Sequence, residues 1–301
     1  ATPSQRRRAI LCVLAASGIF AVGGAVVKAL TETVPVFEIV AVRGFVGFLA
    51  TVPLLWREGG WRAMRTRRPW GHAARTGLGF FGTVTTVYGY ARLPLVLVTA
   101  LGFAMPLFLA VLAVPLLNER VGWRRGAAVV AGLCGVLAML RPWGAADAAA
   151  QDPVAVGVVL AGVVAWALAM ITIRKMGAAG ESNTAIVAWF TLGTACMALI
   201  CAIPGWRTPG WPELAGLALA GAMSGTAQLL MTEAYRSAEP TVVAPFEYGA
   251  IVYATVLGAA LWGEYPDAWT AAGVAVLICA GLFIWRQDVA ERGAERAAGR
   301  G

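Results

Sequence analysis

Residues 93–142 read LPLVLVTALGFAMPLFLAVLAVPLLNERVGWRRGAAVVAGLCGVLAMLRP. Two long apolar runs flank one short charged interruption, which holds Glu119, Arg120, Arg124 and Arg125. Crossing a hydrocarbon core of ~30 Å takes about 20 helical residues, so the two runs predict consecutive membrane spans over 95–117 and 124–141. A soluble domain has no use for two such runs back to back, because their apolar surface would meet water.

Working outward, the same pattern predicts ten spans: 9–30, 36–56, 75–92, 95–117, 124–141, 154–174, 184–204, 212–232, 241–262 and 268–286. Composition agrees. Of 301 residues, 59% are hydrophobic and only 13% are charged, against roughly 25% charged in ordinary soluble domains. The 36 glycines suit close helix packing in lipid, where small residues let backbones approach. Cys12, Cys134, Cys196, Cys201 and Cys279 all fall in apolar runs and have no metal-type spacing, so no disulfide and no metal site are expected. No cleavable signal peptide is expected; the first run, after Arg6, Arg7 and Arg8, reads as a retained span ending at Lys28.

The net charge of +8 does not point to nucleic acid, because the basic residues cluster in short connections. With the N-terminus in the cytoplasm, the inner segments hold Arg6, Arg7, Arg8, Arg57, Arg62, Arg65, Arg67, Arg68, Arg75, Arg120, Arg124, Arg125, Arg174, Lys175, Arg236, Arg286, Arg292, Arg296 and Arg300. The outer ends hold only Lys28, Arg92, Arg141 and Arg207. That asymmetry predicts an N-in, C-in orientation. The longest connection is expected from Arg57 to Arg75, with Trp61 and Trp70 as interface anchors.

The opening stretch also recurs. Shifted by 145 positions it lies over the second half of the chain, matching Tyr90 to Tyr235, Glu119 to Glu264, Ala127 to Ala272, Cys134 to Cys279, Leu137 to Leu282 and Arg141 to Arg286. The units read as 1–141 and 154–286, with a linker at 142–153 and a polar tail at 287–301. Each unit holds five spans. Five is odd, so the second unit enters the membrane inverted relative to the first, a pattern common among transporters.

The stretch at 93–142 and its counterpart AEPTVVAPFEYGAIVYATVLGAALWGEYPDAWTAAGVAVLICAGLFIW (238–285) resemble the end of an EamA domain, of the drug/metabolite transporter superfamily. The glutamate closing the fourth helix of each half, the small-residue fifth helix and the AVRGF run around Arg43 carry the likeness, which covers nearly the whole chain. The resemblance implies an all-α membrane protein in which helices one to four of each half surround a central cavity. The fifth and tenth helices would lie outside as scaffold. Relatives move amino acids, amines, carboxylates, vitamins such as riboflavin, or S-adenosylmethionine, some by export and some by import. One departure is Asn118 before Glu119, where many relatives have glycine, as Gly263 is here before Glu264.

Charge inside a span is costly and therefore a functional candidate. Arg43 lies about 10 Å from the outer surface at ~1.5 Å per residue, and reads as a counter-ion for an anionic solute or as a structural arginine. Glu247 lies about 9 Å from the inner surface by the same rise, and reads as a proton site, a cation partner or a hydrogen-bonded structural acid. Glu38, nearer the outer edge, is a second candidate for proton coupling. Glu119 and Glu264 read as helix-end caps. Tyr88, Phe103, Trp166, Trp189 and Tyr248 are the candidate aromatic walls of a solute cavity, with Phe103 and Tyr248 at equivalent repeat positions; Tyr90, Phe190, Phe246 and Tyr253 belong to the wider aromatic set.

The expected function is a secondary carrier of a small organic metabolite working by alternating access. The expected site is the bacterial inner membrane, with lipid as surroundings, no cofactor, and compatibility with a homodimer. A channel-like protein or an intramembrane enzyme is the alternative. Catalytic signals are sparse: the one histidine, His72, falls in a predicted loop, and Asp147, Asp152, Asp267 and Asp288 all lie outside the spans. No GxxxxGK[ST] run occurs, so direct ATP drive is not expected.

Overall fold

The computed structural model describes residues 3–117, 123–140, 152–237 and 246–298. Glu119, Asn118 and most of the predicted linker lie outside these residues. Among the described residues the chain forms eleven α-helices: α1 Pro3–Leu30, α2 Val36–Arg57, α3 Pro69–Arg92, α4 Leu95–Gly102, α5 Met105–Leu117, α6 Trp123–Leu140, α7 Pro153–Ala178, α8 Asn183–Ala202, α9 Trp211–Ser237, α10 Gly249–Trp262 and α11 Ala268–Ala298. Only Phe103 and Ala104 separate α4 from α5, so the helices fall into ten successive segments. The expected fourth span is thus a broken helix.

Local chemistry sets the ends. Asp152 precedes Pro153 and its carboxylate accepts from the backbone N–H groups of Val154 and Ala155, because the first N–H groups of a helix have no partner within it. Ser182 does the same for Ala185 at the start of α8. The end of α10 turns on Gly263, whose φ of 67° is left-handed, and the N–H of Glu264 returns to the carbonyl of Gly258. α11 continues to Ala298, past the predicted span end at 286.

Among the described residues, four helices are by themselves long and apolar enough to cross a membrane: Arg7–Leu30, Val36–Arg57, Pro153–Gly177 and Thr184–Gly205. Shorter apolar stretches occupy Leu95–Leu109, Gly126–Met139, Gly249–Trp262 and Ala268–Phe283. Large apolar side chains such as Trp56, Val130, Ile200, Val252 and Leu261 stand exposed on the outside of the bundle. In water this would be an aggregation surface; in a bilayer it is the solvated face. The chain is a multi-pass helical membrane protein.

Packing pairs α1 with α9 and α10, α2 with α8 and α9, α3 with α7 and α8, and α5 with α7. α4 meets α10, and α6 packs mainly on α11. The last pair touches through backbone. A β-carbon built on Gly273 would stand 2.5 Å from the carbonyl oxygen of Gly135, so only hydrogen fits there.

One expectation needs correction. The connection after α2 is shorter than predicted, because α3 starts at Pro69 and not near Arg75. A 3₁₀ turn at Gly60–Met64 folds the connection back onto the bundle, with Trp61 stacked on Phe48 at 6.2 Å between ring centres. His72 and Arg75, assigned from sequence to a loop and its edge, are buried in the first two turns of α3. Glu181 supplies the anchor: its carboxylate accepts from Thr66 Oγ1 and Arg67 N–H, and lies 3.2 Å from His72 Nε2.

Candidate solute site

Among the described residues, Arg43 is half-buried and Arg75 is buried within the helices. Arg43 on α2 donates from Nη2 to Ser224 Oγ on α9 at 3.1 Å. Arg43 makes no ion pair with a carboxylate of the described residues, whereas Lys28 pairs with Glu264 and His72 Nε2 meets Glu181. Glu247, the candidate proton site or cation partner, is half-buried just before α10, beside Tyr248.

The second arginine, Arg75, was read as a surface residue. Its side chain is buried between α3, α7 and α8, with the guanidinium 3.9 Å from the centre of Phe190 and 5.4 Å from that of Trp166. These two rings meet edge to face at 5.9 Å. The sequence signal lies in RTGLGFFG at 75–82, because Gly79 and Gly82 leave the face of α3 bare where the guanidinium, Phe190 and Trp166 rest.

The predicted aromatics divide into separate places. Phe103 and Tyr248 come together with ring centres 4.8 Å apart, at the break in the fourth segment, and the Tyr248 hydroxyl reaches Gly281 on α11. Trp166 joins Arg75 and Phe190. Trp189 stands apart from both: it is 37% exposed, its Nε1 donates to the carbonyl of Met64 at 2.9 Å, and its ring neighbours His72. Tyr88 lies under the Arg92 guanidinium at 5.7 Å. Glu38 is fully buried, and its Oε1 accepts from the backbone N–H of Arg207, while Arg207 Nη1 donates to the Thr33 carbonyl. Glu38 thereby ties the α8–α9 connection to the α1–α2 turn.

Glu264 was expected to cap helix ends, and it caps one in the other half of the chain. Its Oε2 accepts from Leu95 N–H at the start of α4, while Oε1 takes Lys28 Nζ at 2.8 Å. Lys28 Nζ also donates to the Leu93 carbonyl at 2.7 Å.

The arrangement defines a class: a multi-pass membrane protein whose helices bring cationic and aromatic groups together between them. The model of the EamA-like transporter family matches residues 7–141 and again 154–286, and the chain belongs to that family. It is 30% identical over 249 residues to an S-adenosylmethionine uptake transporter of Rickettsia prowazekii, covering 82% of each chain. It is 32% identical over 243 residues to a riboflavin transporter of Rhizobium johnstonii, covering 80% of this chain and 78% of the other. A pseudopaline exporter of Pseudomonas aeruginosa is 28% identical over 278 residues, covering 92% and 95%. A crystal structure superposes with a TM-score of 0.64 at 19% identity, over 92% of this chain and 96% of the other, which bears on the fold alone. The protein is a small-metabolite transporter.

Proposed function

We propose that the protein is a secondary carrier that moves its solute by alternating access between two five-helix units, 1–141 and 154–286, inverted against each other in the membrane. The observation that carries this is the pairing of helices. Numbered by successive segments, the first packs on the eighth as the sixth packs on the third, and the second packs on the eighth as the seventh packs on the third. The first packs on the ninth as the sixth packs on the fourth. Contacts that exchange in this way suit two nearly equivalent arrangements, one open to each side. The two successive matches to one family model support the same division.

The cargo is a small organic metabolite of the kind the relatives' names describe, S-adenosylmethionine or a riboflavin-like vitamin, with amino acids and amines in the same size range. The reading places the protein in a bacterial inner membrane, basic connections inward, without cofactor or catalysis. Glu247, near the break that precedes α10, is the group proposed to couple transport to protons, with Glu38 the second candidate. The solute walls are proposed to be Arg43, Tyr88, Phe103, Trp166, Trp189, Glu247 and Tyr248. A homodimer is compatible with this arrangement.

The test is uptake of labelled S-adenosylmethionine, riboflavin and a panel of amino acids into proteoliposomes. A carrier gives saturable uptake and exchange of internal for external solute. Flux that rises linearly with concentration would support a channel, and chemical conversion of the solute would support an enzyme.

A further inference from the structure

We infer that Arg75, held between Phe190 and Trp166, is the subsite for an anionic group of the solute, a carboxylate or phosphate next to a flat ring system. This deepens the carrier reading and rests on it.

Three observations carry the inference. Arg75 is only 7% exposed, and its Nε and Nη1 have no hydrogen-bond partner. A buried donor without a partner costs free energy, more so when charged, and native chains keep few such groups without a use for them. The nearby carboxylate of Glu181 is already occupied by His72, Thr66 and Arg67 N–H.

The side chain also runs the wrong way for a structural arginine. An arginine near a helix end in a membrane ordinarily extends toward the nearest water, and helical side chains lean toward the helix N-terminus. Arg75 instead lies along α3 toward Gly79, one turn deeper, where a β-carbon would overlap its Nη1. The two rings hold the guanidinium through cation–π contact, and its unpartnered Nε and Nη1 keep N–H groups that suit a planar or tetrahedral anion.

The third observation is an approach. A pocket of about 970 Å³ opens one to two turns away along the same three helices, lined by Gly71 of α3, Thr172 of α7 and Ala185 of α8. Its rim carries Arg65, Arg67, Arg68 and Lys175. Against these four cations stands one carboxylate, Glu181, itself engaged by His72, Thr66 and Arg67 N–H, and a mouth that is net positive raises the local concentration of anions. The flat faces of Trp166 and Phe190 suit a ring system next to the anion.

The experiment uses the full chain in proteoliposomes with two pairs of labelled solutes, each differing by one anion: S-adenosylmethionine against its decarboxylated form, and riboflavin 5′-phosphate against riboflavin. Wild type should prefer the anionic member of the pair it takes up by about tenfold or more, the range of a charge-assisted bond. Arg75→Gln should erase the preference by raising KM for the anionic member, while Arg75→Lys keeps part of it. Phe190→Leu, which leaves the charge, should weaken the preference in the same direction. Loss of folding alone lowers the number of active carriers and leaves the ratio between paired solutes unchanged. Saturable uptake without anion preference, or a preference that survives Arg75→Gln, overturns the inference and leaves the carrier reading standing. If wild type takes up none of the four solutes, the inference falls, while the carrier reading is decided separately by the amino-acid panel.

Discussion

Lys28 Nζ and Glu264 Oε1 stand 2.8 Å apart, joining the end of α1 in the first half to the residue that follows α10 in the second. Each partner also holds backbone of a third element, Lys28 through the Leu93 carbonyl and Glu264 through the Leu95 N–H. The pair therefore fixes the start of α4 against both halves. The side chains are 10% and 20% exposed, so removing one partner leaves a poorly hydrated charge. Lys28→Met and Glu264→Gln should each lower stability by about 3–5 kcal/mol. Thermal unfolding in detergent checks this, and the double variant should lose less than the sum of the two.

Arg43 bridges α2 and α9 through Ser224. If it also serves as a counter-ion, Arg43→Ala should raise KM for anionic solutes at least tenfold, the span of a charged hydrogen bond of about 1.5–3 kcal/mol. Ser224→Ala should have a smaller effect. Unaltered affinity for every anionic solute tested would remove the role.

Glu247 lies half-buried at the segment leading into α10. In proteoliposomes with an imposed pH gradient, Glu247→Gln should abolish the dependence of uptake on that gradient while leaving solute exchange intact. An unchanged dependence eliminates Glu247 as the coupling site, and the same measurement on Glu38→Gln decides the second candidate.

Glu181 belongs to the connection between α7 and α8. Burial opposes its charge, yet the bonds from His72, Thr66 and Arg67 N–H outweigh it and hold the carboxyl below its ordinary value of 4.5. A depressed carboxylate contributes stability that is full above the ordinary value and is lost as pH falls through the folded one. The connection at 58–68 should therefore become protease-sensitive as pH drops below about 4.5. Glu181→Gln should be sensitive already at neutral pH; equal resistance of variant and wild type across this range contradicts the anchor.

The contact between Gly135 and Gly273 leaves no room for a side chain. Gly273→Leu should separate α6 from α11 and cost about 1–3 kcal/mol, read as a lowered unfolding midpoint. Gly77→Ala, where a β-carbon meets nothing within 4 Å, serves as the control and should change little.

The amino-acid sequence by itself determined the ten segments and their family. Those follow from local runs of about 20 apolar residues and from the motif run at 93–142 with its counterpart at 238–285, which share positions such as Cys134 and Cys279. The equivalent repeat positions of Phe103 and Tyr248 were legible, but that their rings meet was decided by the packing. Tertiary structure alone decided which charges are buried and which groups face them. Arg75 looked like one more basic residue at the end of a loop, because hydropathy averages over a window and gives no direction to a side chain. Its burial depends on Phe190 and Trp166, brought from α8 and α7 onto the bare face of α3. Trp189 donates to the Met64 carbonyl, a contact between residues 125 positions apart in the chain. Such pairings arise from helix packing across the two halves, which no local run of residues encodes.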